Sequence, residues 1–278
     1  IKADKYYIDN LKRIVYGDGD GTWDENPRPK YADGQPGHSK FITQVFEEYN
    51  ISKGEFPITT LRNTAIKTGI KEVLWIYQRQ TNSLAVAREM GINWWDEWNV
   101  GDETIGQRYG ATIKRYDLMD KLLHNLKYDP FGRRHIINMY QYADLEETNG
   151  LFPCAYETMW SVRRVNDDFY LDLTLNQRSN DYIMAGYINK IQYVALQMMV
   201  ASHLRYKVGK FCHFVQNLHV YDRHFEAAAE LLNRTPLDKQ PRIELTSDKP
   251  FYDFTVDDFK IIDTNGIKKI ESKLEIAI

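Results

Sequence analysis

The feature that most constrains the fold lies between residues 156 and 221. In "FYLDLTLNQRS" (169–179), Leu171, Leu173 and Leu175 alternate with Tyr170, Asp172 and Thr174. A period of two puts one set on each side of a pleated strand, so this run predicts a strand. The segment "NKIQYVALQMMVASHLRY" (189–206) is apolar for too long to be a strand and predicts a long buried helix. "YETMWSVRRV" (156–165) before it and "KFCHFVQNLHVY" (210–221) after it both read as strands. Strands and a buried helix in this order call for a layered sheet-and-helix fold.

The rest of the chain mixes the two types. Helical spacing of apolar residues appears in 5–16, 64–80, 83–91 (ending at Gly91), 117–130 (stopped by Pro130) and 223–233. "KFITQVFEEYN" (40–50) alternates as a strand, and "RRHIINMY" (133–140) reads as a strand starting at two arginines. Residues 17–39 are rich in Gly, Pro and Asp and predict a long loop carrying Arg28 and Lys30. Residues 92–110 read as an aromatic and acidic loop. "PRIELT", "DDFKIIDT" and "KKIESKLEIAI" close the chain. There is no strict βαβα rhythm, internal repeat, GxGxxG or P-loop. The fold class expected is therefore α/β (α+β layered), a mixed β-sheet flanked by helices rather than a doubly wound sheet. No Pro/Ser-rich linker divides residues 1–278, so a single domain is expected.

Charge and cysteine usage narrow the function. With 36 basic and 39 acidic residues, no polyanion-binding surface is expected, which disfavours nucleic acid as a partner. Cys154 and Cys212 make no disulfide framework, which fits a reducing compartment. The first ten residues lack an apolar signal core, and no run approaches the roughly 18 apolar residues of a membrane span. A soluble, cytoplasmic protein without a membrane partner is the expectation. Cys212 sits inside a strand pattern and is expected in the core. Cys154, between Pro153 and Ala155, is followed by Arg178 and Ser179, a pair suited to hold a phosphate beside a nucleophilic thiol.

The separate pieces form a constellation. "RR" stands before a strand, "PC" at the start of the next and "QRSND" at the end of the next; an asparagine follows eight residues later, and then "LHVYDRH". Together they resemble the folate-dependent superfamily of thymidylate synthases and pyrimidine nucleotide hydroxymethylases, from the Arg28 loop to the final "IAI". The resemblance implies a thymidylate synthase-like fold whose sheets pack back to back in a homodimer with shared active sites. It implies a pyrimidine nucleotide monophosphate and 5,10-methylenetetrahydrofolate as substrates, and no metal.

It also assigns roles. Cys154 would be the thiolate that adds to C6 of the base, making C5 nucleophilic. Arg178 beside it would lower its pKa. Arg28, Arg133, Arg134, Arg178 and Ser179, next to Gln177, would hold the phosphate, with Arg133 and Arg134 reaching the other subunit's site. Asn189 would pair with the uracil edge, because an amide both donates and accepts. His219 and Tyr221 would hold the 3′-hydroxyl. Glu72 would organise water and proton transfer, and Tyr109 would help to remove the C5 proton. Asp181, Trp95, Trp98, Leu151, Ala185 and the C-terminal Ile278 would form the folate side.

Some family positions differ. Ala155 follows the cysteine where a histidine is usual, and Leu61 stands for a folate-side lysine. Met184, Ala185, Tyr187 and Ile188 replace a typical "LGxPF", and Gln216-Asn217 replaces "GD". Phage hydroxymethylases of the superfamily also lack that histidine and aspartate, and a phage making modified DNA would fit as source. The departures favour dUMP hydroxymethylase, forming 5-hydroxymethyl-dUMP. Thymidylate synthase is the alternative, since Trp95, Leu151 and "IAI" remain. A cytosine nucleotide hydroxymethylase and a degenerate nucleotide-binding protein stay open.

Overall fold

The computed structural model describes residues 1–17 and 20–278. Along the chain run α1 (Lys2–Tyr16), β1 (Thr22–Trp23), β2 (Ser39–Asn50), α2 (Ile66–Val73), α3 (Leu84–Glu89), α4 (Gly110–Tyr116), α5 (Leu118–Tyr128), β3 (Ile136–Asn138), α6 (Tyr142–Glu147), β4 (Ala155–Val165), β5 (Asp168–Gln177) and β6 (Asn180–Asp181). Then come α7 (Gly186–Leu204), β7 (Lys207–Tyr221), α8 (Phe225–Leu232), β8 (Arg242–Leu245) and β9 (Phe259–Ile262). The expected loop at 17–39 is irregular apart from β1 and the first residue of β2; its residues 18 and 19 lie outside the described residues.

The main sheet has the order β1-β2-β7-β5-β4-β3, with β6 beside β7. The pairing β5·β7 is parallel because α7 crosses between them, and the other neighbours on this path are antiparallel. The mixed sheet flanked by helices is therefore the expected architecture. β8 and β9 form a separate hairpin-like pair.

Register shows how the alternation divides the sheet. One rung runs Glu47, His213, Leu175, Thr158, Ile137, and all five are buried. The next rung, Glu48, Cys212, Thr174, Met159, Ile136, lies on the opposite face, where Met159 and Ile136 are exposed. The rung Phe46, Phe214, Asn176, Glu157, Asn138 shares that outer face, and Phe46 is 54% exposed. Helix α7 covers the inner face. It is buried on nearly every side, from Ile191 through Met199, as its all-round apolar sequence requires.

A buried ion pair fastens α7 to β2. Lys190 Nζ donates to Glu47 Oε2 at 2.5 Å, with both side chains almost fully buried. Tyr49 donates to the same carboxylate at 2.6 Å, Tyr182 at 3.1 Å and Asn10 at 3.2 Å. The Lys190 ammonium also sits 3.9 Å from the Tyr187 ring centroid.

Four expectations change. The helix expected over 64–80 begins at Ile66, and after Val73 it widens into a π-helical turn over Leu74–Gln78. The arginines of "RRHIINMY" precede the short β3 instead of starting it. Helices α4 and α6, of seven and six residues, fall where no helix is expected, because one or two turns show too little periodicity. Cys212 lies in a strand, but on the outer face near Glu48 rather than in the core, because its neighbours in β7, Phe211 and His213, occupy the inner side.

Candidate active site

Cys154 lies immediately before β4, at the end of the sheet where β5 finishes. Backbone bonding joins the two ends: Arg178 N–H donates to the Cys154 carbonyl at 3.0 Å. The Arg178 guanidinium folds back over the same turn. It donates to the carbonyls of Phe152 at 2.6 Å and Pro153 at 3.0 Å, and reaches Cys154 Sγ at 3.6 Å. The strand end thus delivers a cation to the thiol. Even so, burial pushes the Cys154 thiol up; Arg178 and Arg28 oppose it without overcoming it. The expected lowering by Arg178 is present as a contribution, but desolvation outweighs it.

Tyr109 meets Cys154 from the other side. Its hydroxyl accepts the Cys154 backbone N–H at 3.0 Å, and burial holds its phenol well above the usual range. Tyr109 has φ 47° and ψ −111°, a conformation that side chains rarely adopt. The next residue must be glycine, since a Cβ at Gly110 would lie 2.5 Å from the Thr81 carbonyl oxygen. Strain of this kind persists only where surrounding contacts enforce it. The Trp95 ring packs edge-on to Tyr109 at 5.2 Å and to Trp98 at 5.5 Å.

Glu72, the last but one residue of α2, is buried and receives three side-chain N–H donors. The indoles of Trp94 and Trp95 both donate to Oε2, the latter at 2.9 Å, and Gln192 donates to Oε1 at 2.9 Å. Burial raises the Glu72 pKa, while the three donors pull it back. Gln192 reaches Glu72 because α2 and α7 approach closely at Gly69, where a Cβ would lie 3.2 Å from Gln192 Cγ. The contact continues as a chain of amides. Asn189 Nδ2 donates to Gln192 Oε1 at 3.1 Å, Gln177 Nε2 donates to Asn189 Oδ1 at 3.1 Å, and Gln177 Oε1 meets His213 Nε2 at 2.8 Å. Burial keeps His213 neutral by pushing its pKa well down, and the acceptor it faces places its proton on Nε2. Every donor in the chain points toward the Glu72 carboxylate.

The remaining expected residues surround this centre. Asp181 Oδ1 accepts the N–H groups of Ile183 and Met184 at 3.1 and 3.0 Å, which shapes the turn into α7 at Ala185. His219 is buried, its Nδ1 is 3.0 Å from Asn217 Oδ1, and its ring stands edge-on to Tyr221 at 5.2 Å. Burial pushes the Tyr221 phenol up, and the Arg28 charge opposes this. Ser179 and Leu151 are half-buried. Ile278 pairs through its backbone with Lys30, at 2.7 and 2.9 Å, beside the Arg28 loop. Arg133 and Arg134 are not gathered into this group. Both are exposed, and neither makes an ion pair or side-chain hydrogen bond among the described residues.

Sequence reasoning did not single out Trp94, Gln192 or His213. The available signals were the adjacency of Trp94 to Trp95 and the spacing of three that puts Gln192 on the face of Asn189. The departures from the family pattern differ in burial. Leu61, Ala155 and Tyr187 are all buried in the hydrophobic core, and Asn217 holds His219. Met184, Ala185 and Ile188, the other departures at the start of α7, are half-buried.

The likeness extends over the whole chain. A family model described as Thymidylate synthase matches residues 5–276. The Thymidylate synthase of Streptococcus gordonii is 51% identical over 281 residues, covering 100% of this chain and 99% of that protein. That of Lactococcus lactis subsp. lactis is 51% identical over 280 residues, covering 99% of each. The solved structure of thermostable thymidylate synthase A from Bacillus subtilis superposes with a TM-score of 0.88 at 34% identity, covering 99% of both chains. The chain belongs to the thymidylate synthase family, whose members transfer one carbon from a folate to a pyrimidine nucleotide.

Proposed function

We propose that this protein is a thymidylate synthase, converting dUMP to dTMP with 5,10-methylenetetrahydrofolate consumed and dihydrofolate formed. The observation that carries this is the end-to-end likeness to enzymes bearing that name, at half identity. It replaces the hydroxymethylase expectation, whose basis was a set of departures shared with phage hydroxymethylases. Leu61, Ala155 and Tyr187 are core residues, so they give no reason for water to replace hydride.

The chemistry follows from the side chains. Cys154 Sγ bonds to C6 of the uracil, and C5 becomes the nucleophile for the folate's one-carbon unit. Methylenetetrahydrofolate supplies that carbon and then a hydride. Trp95, Trp98, Leu151, Ala185 and Ile278 suit the flat, apolar body of such a ligand, and Asp181 retains Oδ2 for a pterin N–H. The C5 proton leaves through Tyr109 and a water at the open lone pair of Glu72. Arg28, Arg178 and Ser179 take the phosphate, His219 and Tyr221 the 3′-hydroxyl. Asn189 has one Nδ2 N–H uncommitted for O4 of uracil, while its Oδ1, which accepts from Gln177 at 3.1 Å and Asn180 at 3.4 Å, would take N3–H in place of the longer of these.

A homodimer completes this reading. The outer sheet face carries exposed Phe46, Ile136 and Met159, which suits a second copy packed against it. Arg133 and Arg134 would then act on the partner's phosphate site. The deciding experiment is product mass after incubation with methylenetetrahydrofolate and an equal mixture of dUMP and dCMP. A methyl gain on dUMP with stoichiometric dihydrofolate supports the proposal. A hydroxymethyl gain without dihydrofolate restores the hydroxymethylase, a modified dCMP refutes the assignment of Asn189, and nucleotide binding without turnover indicates a degenerate binding protein.

A further inference from the structure

Arg108 is almost fully buried, yet it makes no ion pair with a carboxylate among the described residues. The nearby Asp144 carboxylate is held by Thr112 at 2.5 Å, Arg115 at 2.7 Å and Tyr116 at 3.1 Å. The guanidinium instead fans out over the C-terminal end of α6. It donates to the carbonyls of Asp144 at 2.6 Å, Leu145 at 3.2 Å and Thr148 at 2.6 Å, and to its neighbour Gln107 at 2.9 Å. A cation is stabilised there by the unpaired carbonyls and the negative end of the helix dipole. Further along the same segment it stands 5.4 Å from the Phe152 ring centroid. Thr148 adds a second tie, because its hydroxyl accepts the Gln107 N–H at 2.8 Å.

The next residue after Arg108 is the strained Tyr109, whose hydroxyl accepts the Cys154 N–H. Residues 107–109 therefore grip the 144–154 segment at both ends. Arg108 and Gln107 hold its beginning, and Tyr109 holds its end at the nucleophile. We propose that Arg108 is a positioning residue: its fan of carbonyl contacts enforces the Tyr109 backbone and the Cys154 turn together, fixing thiol and phenol in one geometry. The inference deepens the one-carbon-transfer reading and rests on it for its kinetic consequence. A guanidinium is required because only a planar fork can serve several carbonyls from one buried position.

The test combines amide hydrogen exchange with steady-state kinetics on Arg108→Met, Arg108→Lys and the milder Thr148→Val. In Arg108→Met, exchange in the peptide spanning 150–156 rises about tenfold or more, the scale of a lost charge-assisted hydrogen bond, while strands β2, β5 and β7 keep wild-type protection. On dUMP, kcat falls roughly 100-fold, as expected for a misplacement of about 1 Å, with KM for dUMP within about threefold. Arg108→Lys recovers part of both losses, and Thr148→Val shows the exchange effect more weakly. Wild-type exchange in 150–156 overturns the inference, as does faster exchange spread evenly over the sheet, or equal losses in binding and kcat. If Arg108→Met does not fold, Thr148→Val carries the same exchange test. A wild-type protein that transfers no carbon to dUMP removes the proposed function, and the exchange pattern still decides the role of Arg108.

Discussion

Replacing Glu47 by glutamine tests whether the buried ion pair or the surrounding hydrogen bonds hold α7 in place. The two partners are unequal. Without Lys190, Glu47 keeps donors from Tyr49, Tyr182 and Asn10. Without Glu47, Lys190 keeps, among the described residues, the faces of Tyr187 and Tyr182, at 3.9 and 5.2 Å. Breaking a buried pair so that one charge is stranded costs about 3–5 kcal/mol. Losing one charge-assisted bond to an otherwise satisfied carboxylate costs about 1.5–3 kcal/mol. Glu47→Gln is therefore the more damaging change, and Lys190→Met the lesser. The penalty also carries a pH signature. Burial already lowers the Lys190 pKa, and removing Glu47 removes the charge that opposes this. In the variant, the unfolded chain binds a proton that the folded chain does not, from the depressed folded pKa up to about 10.4, so its stability rises with pH across that window. Urea unfolding at pH 7 and pH 9.5, followed by tryptophan fluorescence, measures both effects. The reasoning fails if Glu47→Gln costs less than Lys190→Met, or if its deficit relative to wild type is the same at both pH values.

Three other outcomes are expected. Gln192→Leu cuts the amide chain between Asn189 and Glu72, so kcat/KM for dUMP drops about tenfold or more and the preference over dCMP narrows; an unchanged preference would show that Asn189 is oriented without it. The alkylation rate of Cys154 by iodoacetamide keeps rising above pH 8.5, roughly the ordinary thiol pKa, because burial favours the neutral thiol, and Arg178→Met moves the midpoint higher still; a midpoint below that of a free thiol contradicts this. Arg134→Ala and Cys154→Ala are each inactive alone, yet mixed dimers recover activity through one intact shared site; absence of recovery, with dimers present by sedimentation, refutes sharing.

The strand alternation of residues 169–175 was enough to predict β5 and, with the apolar run after it, the sheet and its covering helix. What alternation could not give is the partner order. That β5 runs parallel to β7 depends on the crossover of α7, a tertiary fact. Alternation also left open which face is the inner one. Cys212 and His213 are adjacent in β7, yet one looks outward and the other carries the buried end of the amide chain. The turn at Leu74–Gln78 was illegible for a different reason. A π-helical turn keeps the composition of an α-helix and changes only its winding, and it begins two residues after Glu72.

The site divides along the same line. Cys154 and Arg178 could be named from residue type and order, because their chemistry is intrinsic to the side chain; Glu72 and Tyr109 were named only through the family resemblance. Gln192 and Arg108 could not, since a glutamine on a buried helix and an arginine before a tyrosine have many ordinary explanations. Their meaning comes from direction. Gln192 matters because its donor faces a carboxylate and its acceptor faces Asn189. Arg108 matters because its donors fan over one helix end while the next residue touches the nucleophile. The same consideration bears on the departures at Leu61, Ala155 and Tyr187. As letters they counted toward a different product; as side chains they fill the core, where substitution changes packing. Substitutions can signal a new reaction only where they face the substrate, and that orientation is a property of the fold.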